Sequence, residues 1–195
     1  QIKLLVDSRA KKDNILAAMD DVFNRAGSND MVLFFFSGHG VTGAFLPYDF
    51  NGKSYLLSHK EIKKRFESSA AKHKLCIADA CFAGSLNEKN YKSPIESTTG
   101  AFYSALKYST GGEAYFVSSK PEEKSIEYQG LRHAVFSHYL IRGLNGEANA
   151  NGDKIITINE LYEYVTPAVE SYTGKYQHPV IYGKYDNNMP VGGVR

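Results

Sequence analysis

Two short stretches of this chain hold the residue types that a nucleophilic enzyme needs. Asp30-Met-Val-Leu-Phe-Phe-Phe-Ser-Gly-His-Gly40 delivers an imidazole, His39. His73-Lys-Leu-Cys-Ile-Ala-Asp-Ala-Cys-Phe-Ala-Gly84 delivers a thiol, Cys81. Each is an apolar, strand-like run that ends among small residues, which predicts a strand followed by a turn. Two such strands side by side in a parallel sheet would open both turns at the same carboxyl edge, where open α/β sheets build their sites. A thiol with an imidazole beside it is a cysteine nucleophile with its base.

The dull alternatives differ in weight from residue to residue. Cys76 lies inside the second strand and reads as a buried structural cysteine. Cys81 lies at the strand end, where free backbone N–H groups lower a thiol pKa and can hold an oxyanion. His39 stands between Gly38 and Gly40, which permit a tight turn and close approach of a ligand. His59, His73, His133, His138 and His178 have no such company and read as structural or solvated. The expected role of His39 is to accept the thiol proton and then protonate a leaving amine. The N–H groups of Gly40 and Cys81 are the oxyanion-hole candidates.

Asp79 precedes Cys81 by two residues, so strand alternation puts both side chains on one side of the sheet. A carboxylate there would favour a cationic substrate group, Lys or Arg; otherwise it is a strand-end Asp that caps a backbone N–H. Ser37 holds the matching position before His39 and could line the same pocket.

The elements that must position these residues are legible as a pattern. Residues 2–6 read as a strand. Residues 11–26 read as a helix with Ile15, Met19, Val22 and Phe23 on one face. Residues 31–36 are apolar without alternation, as in a parallel strand buried on both faces. Residues 44–48 and 53–57 suggest a hairpin. Ser58-His-Lys-Glu61 and Thr157-Ile-Asn-Glu160 are capping boxes that open helices toward Ser69 and Tyr172. Further strands are expected over 73–79, 115–118, 154–158 and 178–182, and further helices over 101–108 and 133–144. Asn87 to Thr99 is polar, contains Pro94 and reads as a long loop. Strands alternating with helices predict an α/β sheet, mostly parallel, with helices on both faces.

Composition narrows the classes. The chain has 195 residues, 43% hydrophobic and 23% charged, with a net charge of +2. That suits one α/β domain, and the scattered basic residues argue against a nucleic-acid surface. No apolar run reaches the length of a membrane span. Two cysteines without a disulfide framework suggest a reducing, cytoplasmic compartment. With no initiator Met, a secreted protein whose signal segment lies upstream remains the alternative. Asn149 to Glu160 has the oxygen spacing of a calcium loop. However, Lys154 stands where that loop needs glycine, and Glu160 already belongs to a capping box. No metal ligand set is therefore assigned.

Taken together, Phe-Phe-Phe-Ser-Gly-His-Gly and Ile-Ala-Asp-Ala-Cys-Phe-Ala-Gly resemble the caspase-like cysteine peptidases, and the bacterial caspase-family proteins and metacaspases more than the animal caspases. Phe136-Ser-His-Tyr-Leu-Ile-Arg-Gly-Leu-Asn-Gly-Glu-Ala, the stretch from Asn151 to Leu161, and Gln177-His-Pro-Val-Ile-Tyr-Gly183 extend the likeness over nearly the whole chain. The resemblance implies a three-layer α/β/α sandwich around a mostly parallel sheet of about six strands. It implies His39 as catalytic base, Cys81 as nucleophile, and Asp79 and Ser37 as S1-pocket residues that favour Arg or Lys at P1. It implies a protein or peptide substrate, no required organic cofactor, and in some relatives calcium near acidic loop residues; Asp49 and Glu88 lie in comparable regions. Self-cleavage in the loop after the nucleophile would fall at Lys89 or Lys92. One departure is the family's first strand and helix, which have no counterpart here: residues 1–195 read as a single domain that lacks them, and a second chain could supply the strand. The rival reading is a catalytically silent scaffold or binding module of the same fold. A serine hydrolase is disfavoured by the lack of a Gly-x-Ser-x-Gly elbow.

Overall fold

The computed structural model describes residues 1–28, 30–41, 43–82, 112–120, 123 and 134–194, with Cys81 and Phe82 described by their backbone alone. The expected loop over 87–99, the helix over 101–108, Glu88, Lys89, Lys92 and His133 lie outside these residues.

Three parallel strands form the middle of the sheet. β1 (Met31–Val41) pairs with β4 (His73–Phe82), and β4 pairs with β5 (Glu113–Val117). Antiparallel strands flank them. β2 (Ala44–Phe45) and β3 (Leu57–Ser58) extend the β1 side, and β7 (Val180–Lys184) closes the β5 side, in the order β3-β2-β1-β4-β5-β7. A small second ladder joins β6 (Ile155–Thr157) to β8 (Pro190–Gly193).

Helices cover both faces, and strand alternation sorts the side chains between them. Under α1 (Lys12–Phe23) and α2 (His59–Ser68) lie Val32, Phe34, Cys76, Ala78, Tyr115 and Val117, packed with Ile15, Met19, Phe23, Ile62 and Phe66. Under α3 (Val135–Arg142) and α4 (Ile158–Tyr172) lie Leu75, Ile77, Ala114 and Phe116, packed with Val135, Phe136, Leu140, Leu161 and Val165. The layers and the six-stranded sheet are those expected of an α/β/α sandwich. α3 and α4 meet closely because Gly143 follows α3: a Cβ there would stand 2.8 Å from Leu161 Cδ1. Both capping boxes form as the sequence predicts, with Ser58 receiving Glu61 N–H and Thr157 receiving Glu160 N–H.

Four expectations need correction. Residues 2–6 form no strand; no described strand pairs with them, and Ile2 and Leu4 stand 92% and 71% exposed. Apolar residues do not make a strand without a neighbouring ladder. β1 is not buried on both faces, because Leu33 and Phe35 are exposed and fall outside the cluster under α3 and α4. The hairpin over 44–57 shrinks to two-residue strands at its ends. Finally, neither His39 nor Cys81 sits on a turn. β1 runs through Gly38-His39-Gly40 to Val41, and β4 runs through Cys81 to Phe82. At Gly38 the lack of a side chain eases packing: a Cβ there would lie 3.3 Å from the Phe36 ring, which stacks on Phe45 at 4.4 Å.

Among the described residues no helix is long and apolar enough to cross a membrane.

Candidate active site

The parallel register of β1 and β4 decides where the reactive residues stand. Ser37 pairs with Asp79, Gly38 with Ala80, His39 with Cys81 and Gly40 with Phe82. His39 and Cys81 are therefore neighbours across the ladder, at the strand spacing of about 4.8 Å. Ser37 and Asp79 form the next row, two residues back, or about 7 Å along the strands. By alternation, Ser37, His39 and Asp79 belong to the face that carries Leu75 and Ile77, the α3/α4 side. The two motifs thus converge as the sequence predicts, through strand register rather than through facing turns.

This row is also the carboxyl edge of the sheet. β5 stops at Val117, the partner of Ala78, whereas β4 continues to Phe82. Among the described strands, only β1 accompanies β4 past Asp79. His39 is exposed there, and so is Ser37. Gly40 is buried and holds ladder positions opposite both Phe82 and Phe45, and the carbonyl of His39 accepts the Leu46 N–H at 2.9 Å. The imidazole is thus carried on a strand fixed from both sides.

Cys76 is buried in the core among Phe34, Ala78 and Tyr115, and desolvation pushes its thiol up to about 12. It stays protonated at neutral pH and has no nucleophilic character.

Asp79 is 4% exposed, and its Oδ2 is engaged. It accepts the Ser137 backbone N–H at 3.1 Å and the Ser137 Oγ–H in a short hydrogen bond. Ser137 is the third residue of α3, whose N-cap, Ala134, has no side chain able to cap. Asp79 therefore supplies from another strand the oxygen that a local Ser or Asp would give. The sequence offered capping as the alternative to a substrate pocket, and Asp79 does perform it.

Residues beyond the predicted set also gather at this edge. Ser118 follows β5, and its N–H donates to the Ala78 carbonyl at 2.9 Å, which brings it beside Asp79. Its Oγ is buried, with no hydrogen-bond partner among the described residues. Gln177 Nε2 donates to the Ser118 carbonyl at 2.8 Å, and His178 Nδ1 meets Glu123 Oε1 at 2.7 Å. No local spacing signals Ser118 or Ser137, since their partners come from other strands and helices.

The loop from Asn149 to Glu160 is held by its own bonds. Asn151 Oδ1 accepts the Asp153 N–H and Asp153 Oδ1 accepts the Ile155 N–H, each at 2.8 Å, while Glu160 accepts the Thr157 N–H at 2.9 Å. Among the described residues no three His, Cys, Asp or Glu side chains converge to hold a metal.

The family model of the caspase domain matches residues 2–188. The chain belongs to the caspase-domain family. Membership in this peptidase family makes it a cysteine-peptidase-type domain. The crystal structure of protein GSU0716 from Geobacter sulfurreducens superposes with a TM-score of 0.62 at 14% identity, covering 99% of this chain and 83% of that one. At that identity the likeness speaks for the fold. No curated protein matches the chain.

Proposed function

We propose that this caspase-domain protein is a cysteine endopeptidase that uses a His39/Cys81 dyad to cut peptide bonds after Arg or Lys. The observation that carries the reading is the register: His39 lies directly across the ladder from Cys81, with Ser37 and Asp79 in the row behind.

The chemistry follows from these positions. His39 takes the proton of the Cys81 thiol, and the thiolate attacks the scissile carbonyl carbon. The carbonyl oxygen gains the negative charge, and the N–H groups of Gly40 and Cys81 are the donors proposed to hold it once substrate draws them out of the β1–β4 ladder in which both residues are paired. The C–N bond then breaks as His39 returns the proton to the leaving amine, which leaves a thioester on Cys81. Water, deprotonated by His39, attacks the thioester carbonyl, releases the acid product and restores the thiol. No step requires an organic cofactor or a metal. Asp79, with Ser37 beside it, is the acceptor proposed for the P1 cation through charge-assisted hydrogen bonds. The proposed setting is cytoplasmic, with protein or peptide as partner and no nucleic acid.

A positional-scanning peptide library, run with and without calcium beside Cys81→Ala protein, tests the proposal. Cleavage after Arg and Lys, abolished in Cys81→Ala, is the expected result. Preference for Asp at P1 would overturn the specificity. No turnover with any member, with or without calcium, would favour the silent binding module.

A further inference from the structure

The proposed specificity carboxylate has a support that the reaction scheme does not use. Asp79 Oδ2 receives two donors from one residue, the N–H and the Oγ–H of Ser137. Both atoms are buried with the carboxylate, since Ser137 is 7% and Asp79 4% exposed. The contact spans 58 positions of sequence and ties the carboxyl end of β4 to the first turn of α3. The rest of α3 is anchored independently, with Val135 and Phe136 fully buried under the sheet and Phe136 packed edge-on against Phe116 at 5.0 Å. The donor pair is therefore mounted on a fixed element.

Such a pair does two things to a carboxylate. Hydrogen bonds made to the ionised form favour that form and oppose the cost of burial. Two donors on a single oxygen also fix the plane of the group. A helix N-terminus adds its own preference for negative charge.

We infer that Ser137 is a positioning residue for substrate specificity: through its N–H and Oγ it holds Asp79 charged and oriented to receive a cationic P1 side chain. This rests on the proposed role of Asp79. Ser137 itself does not touch the substrate. The same carboxylate thereby serves the fold, as the cap of α3, and the pocket, as the acceptor for the cation.

The test compares wild type with Ser137→Ala, Ser137→Cys and Ser137→Thr. The substrates are paired peptides with Arg or citrulline at P1, which differ in charge but little in shape. Alkylation of Cys81 by iodoacetamide reports the state of the nucleophile. Loss of one hydrogen bond to a charged group should reduce the Arg-over-citrulline preference in Ser137→Ala by about tenfold or more, expressed mainly in KM. Alkylation of Cys81 should keep its wild-type rate, and Ser137→Thr should restore the preference. Ser137→Cys keeps the shape with a weaker donor and stands in if Ser137→Ala does not fold; an intermediate preference is expected. A selective wild type whose preference is unchanged in folded Ser137→Ala or Ser137→Cys overturns this inference alone. A wild type indifferent to charge at P1 overturns the role of Asp79 and the inference with it.

Discussion

His59 gives the molecule a pH sensitivity that can be worked out in advance. It opens α2, lies 6% exposed, and meets the ring of Phe45 edge-on at 4.8 Å. Burial pulls its imidazole down from 6.5 to about 3. Above pH 6.5 the residue is neutral whether the chain is folded or not, so it contributes no pH dependence there. As the pH falls below 6.5, the unfolded chain takes up a proton that the folded chain refuses, and stability drops until about pH 3. Each pH unit in that window is worth about 1.4 kcal/mol, so moving from pH 7 to pH 5 should cost about 2 kcal/mol. For a chain of this size that corresponds to roughly 4–8 °C in Tm. The two capping-box glutamates do not confuse the reading. Glu61, held down by its bonds to Ser58 and Lys12, and Glu160, held down by Thr157, lose their stabilisation only below the ordinary glutamate value of 4.5. The assay is thermal unfolding between pH 7 and 5 for wild type and His59→Leu, with His59→Gln as a polar control. Both variants should lose about 2 kcal/mol of the pH dependence, whatever their absolute stability. Equal slopes in wild type and both variants would refute the reasoning.

Four further outcomes are expected. Cys81→Ala should abolish peptide hydrolysis, whereas Cys76→Ala should retain most of it, as initial rates on an Arg peptide will show; His39→Ala should lose about 10²–10⁴-fold. Asp79→Ala should lose Arg and Lys hydrolysis far more than it loses iodoacetamide reaction at Cys81; because Asp79 also caps α3, it should unfold at a lower temperature, with about 1 kcal/mol lost from the cap. Active protein should cut itself after Lys89 or Lys92 while Cys81→Ala protein stays whole, a difference read by intact mass; a fully active enzyme in one piece would rule out self-cleavage as a requirement. Thr157→Ala should cost about 1 kcal/mol in urea unfolding by removing the capping box of α4.

The sequence discloses most of what depends on local pattern. The apolar runs ending in Ser-Gly-His-Gly and Asp-Ala-Cys mark β1 and β4, and Ser58 and Thr157 mark the helix starts to within a residue. What it hides depends on partners. Gly38 and Gly40 read as turn punctuation, yet β1 passes through both; at Gly38 a Cβ would stand 3.3 Å from the Phe36 ring, a tight contact. Residues 2–6 have strand composition but no ladder beside them among the described residues, so composition alone misleads. Asp79 carries two meanings in the sequence, pocket or cap. Only the approach of α3, 58 residues later, reveals the cap. The pairing of His178 with Glu123 and of Gln177 with Ser118 is likewise beyond any local signal.

The central claim is that Cys81 is a nucleophile activated by His39 in a site that accepts a cationic side chain. Labelling with a short peptide that ends in arginine and carries a thiol-reactive group, read by intact mass and peptide mapping, tests it most directly. One equivalent should attach at Cys81 in wild type, rapidly and in preference to the citrulline analogue. Cys81→Ala should take none, His39→Ala should react far more slowly, and buried Cys76 should remain unlabelled. Labelling at Cys76, or reaction at Cys81 that is equally fast without His39, would contradict the account.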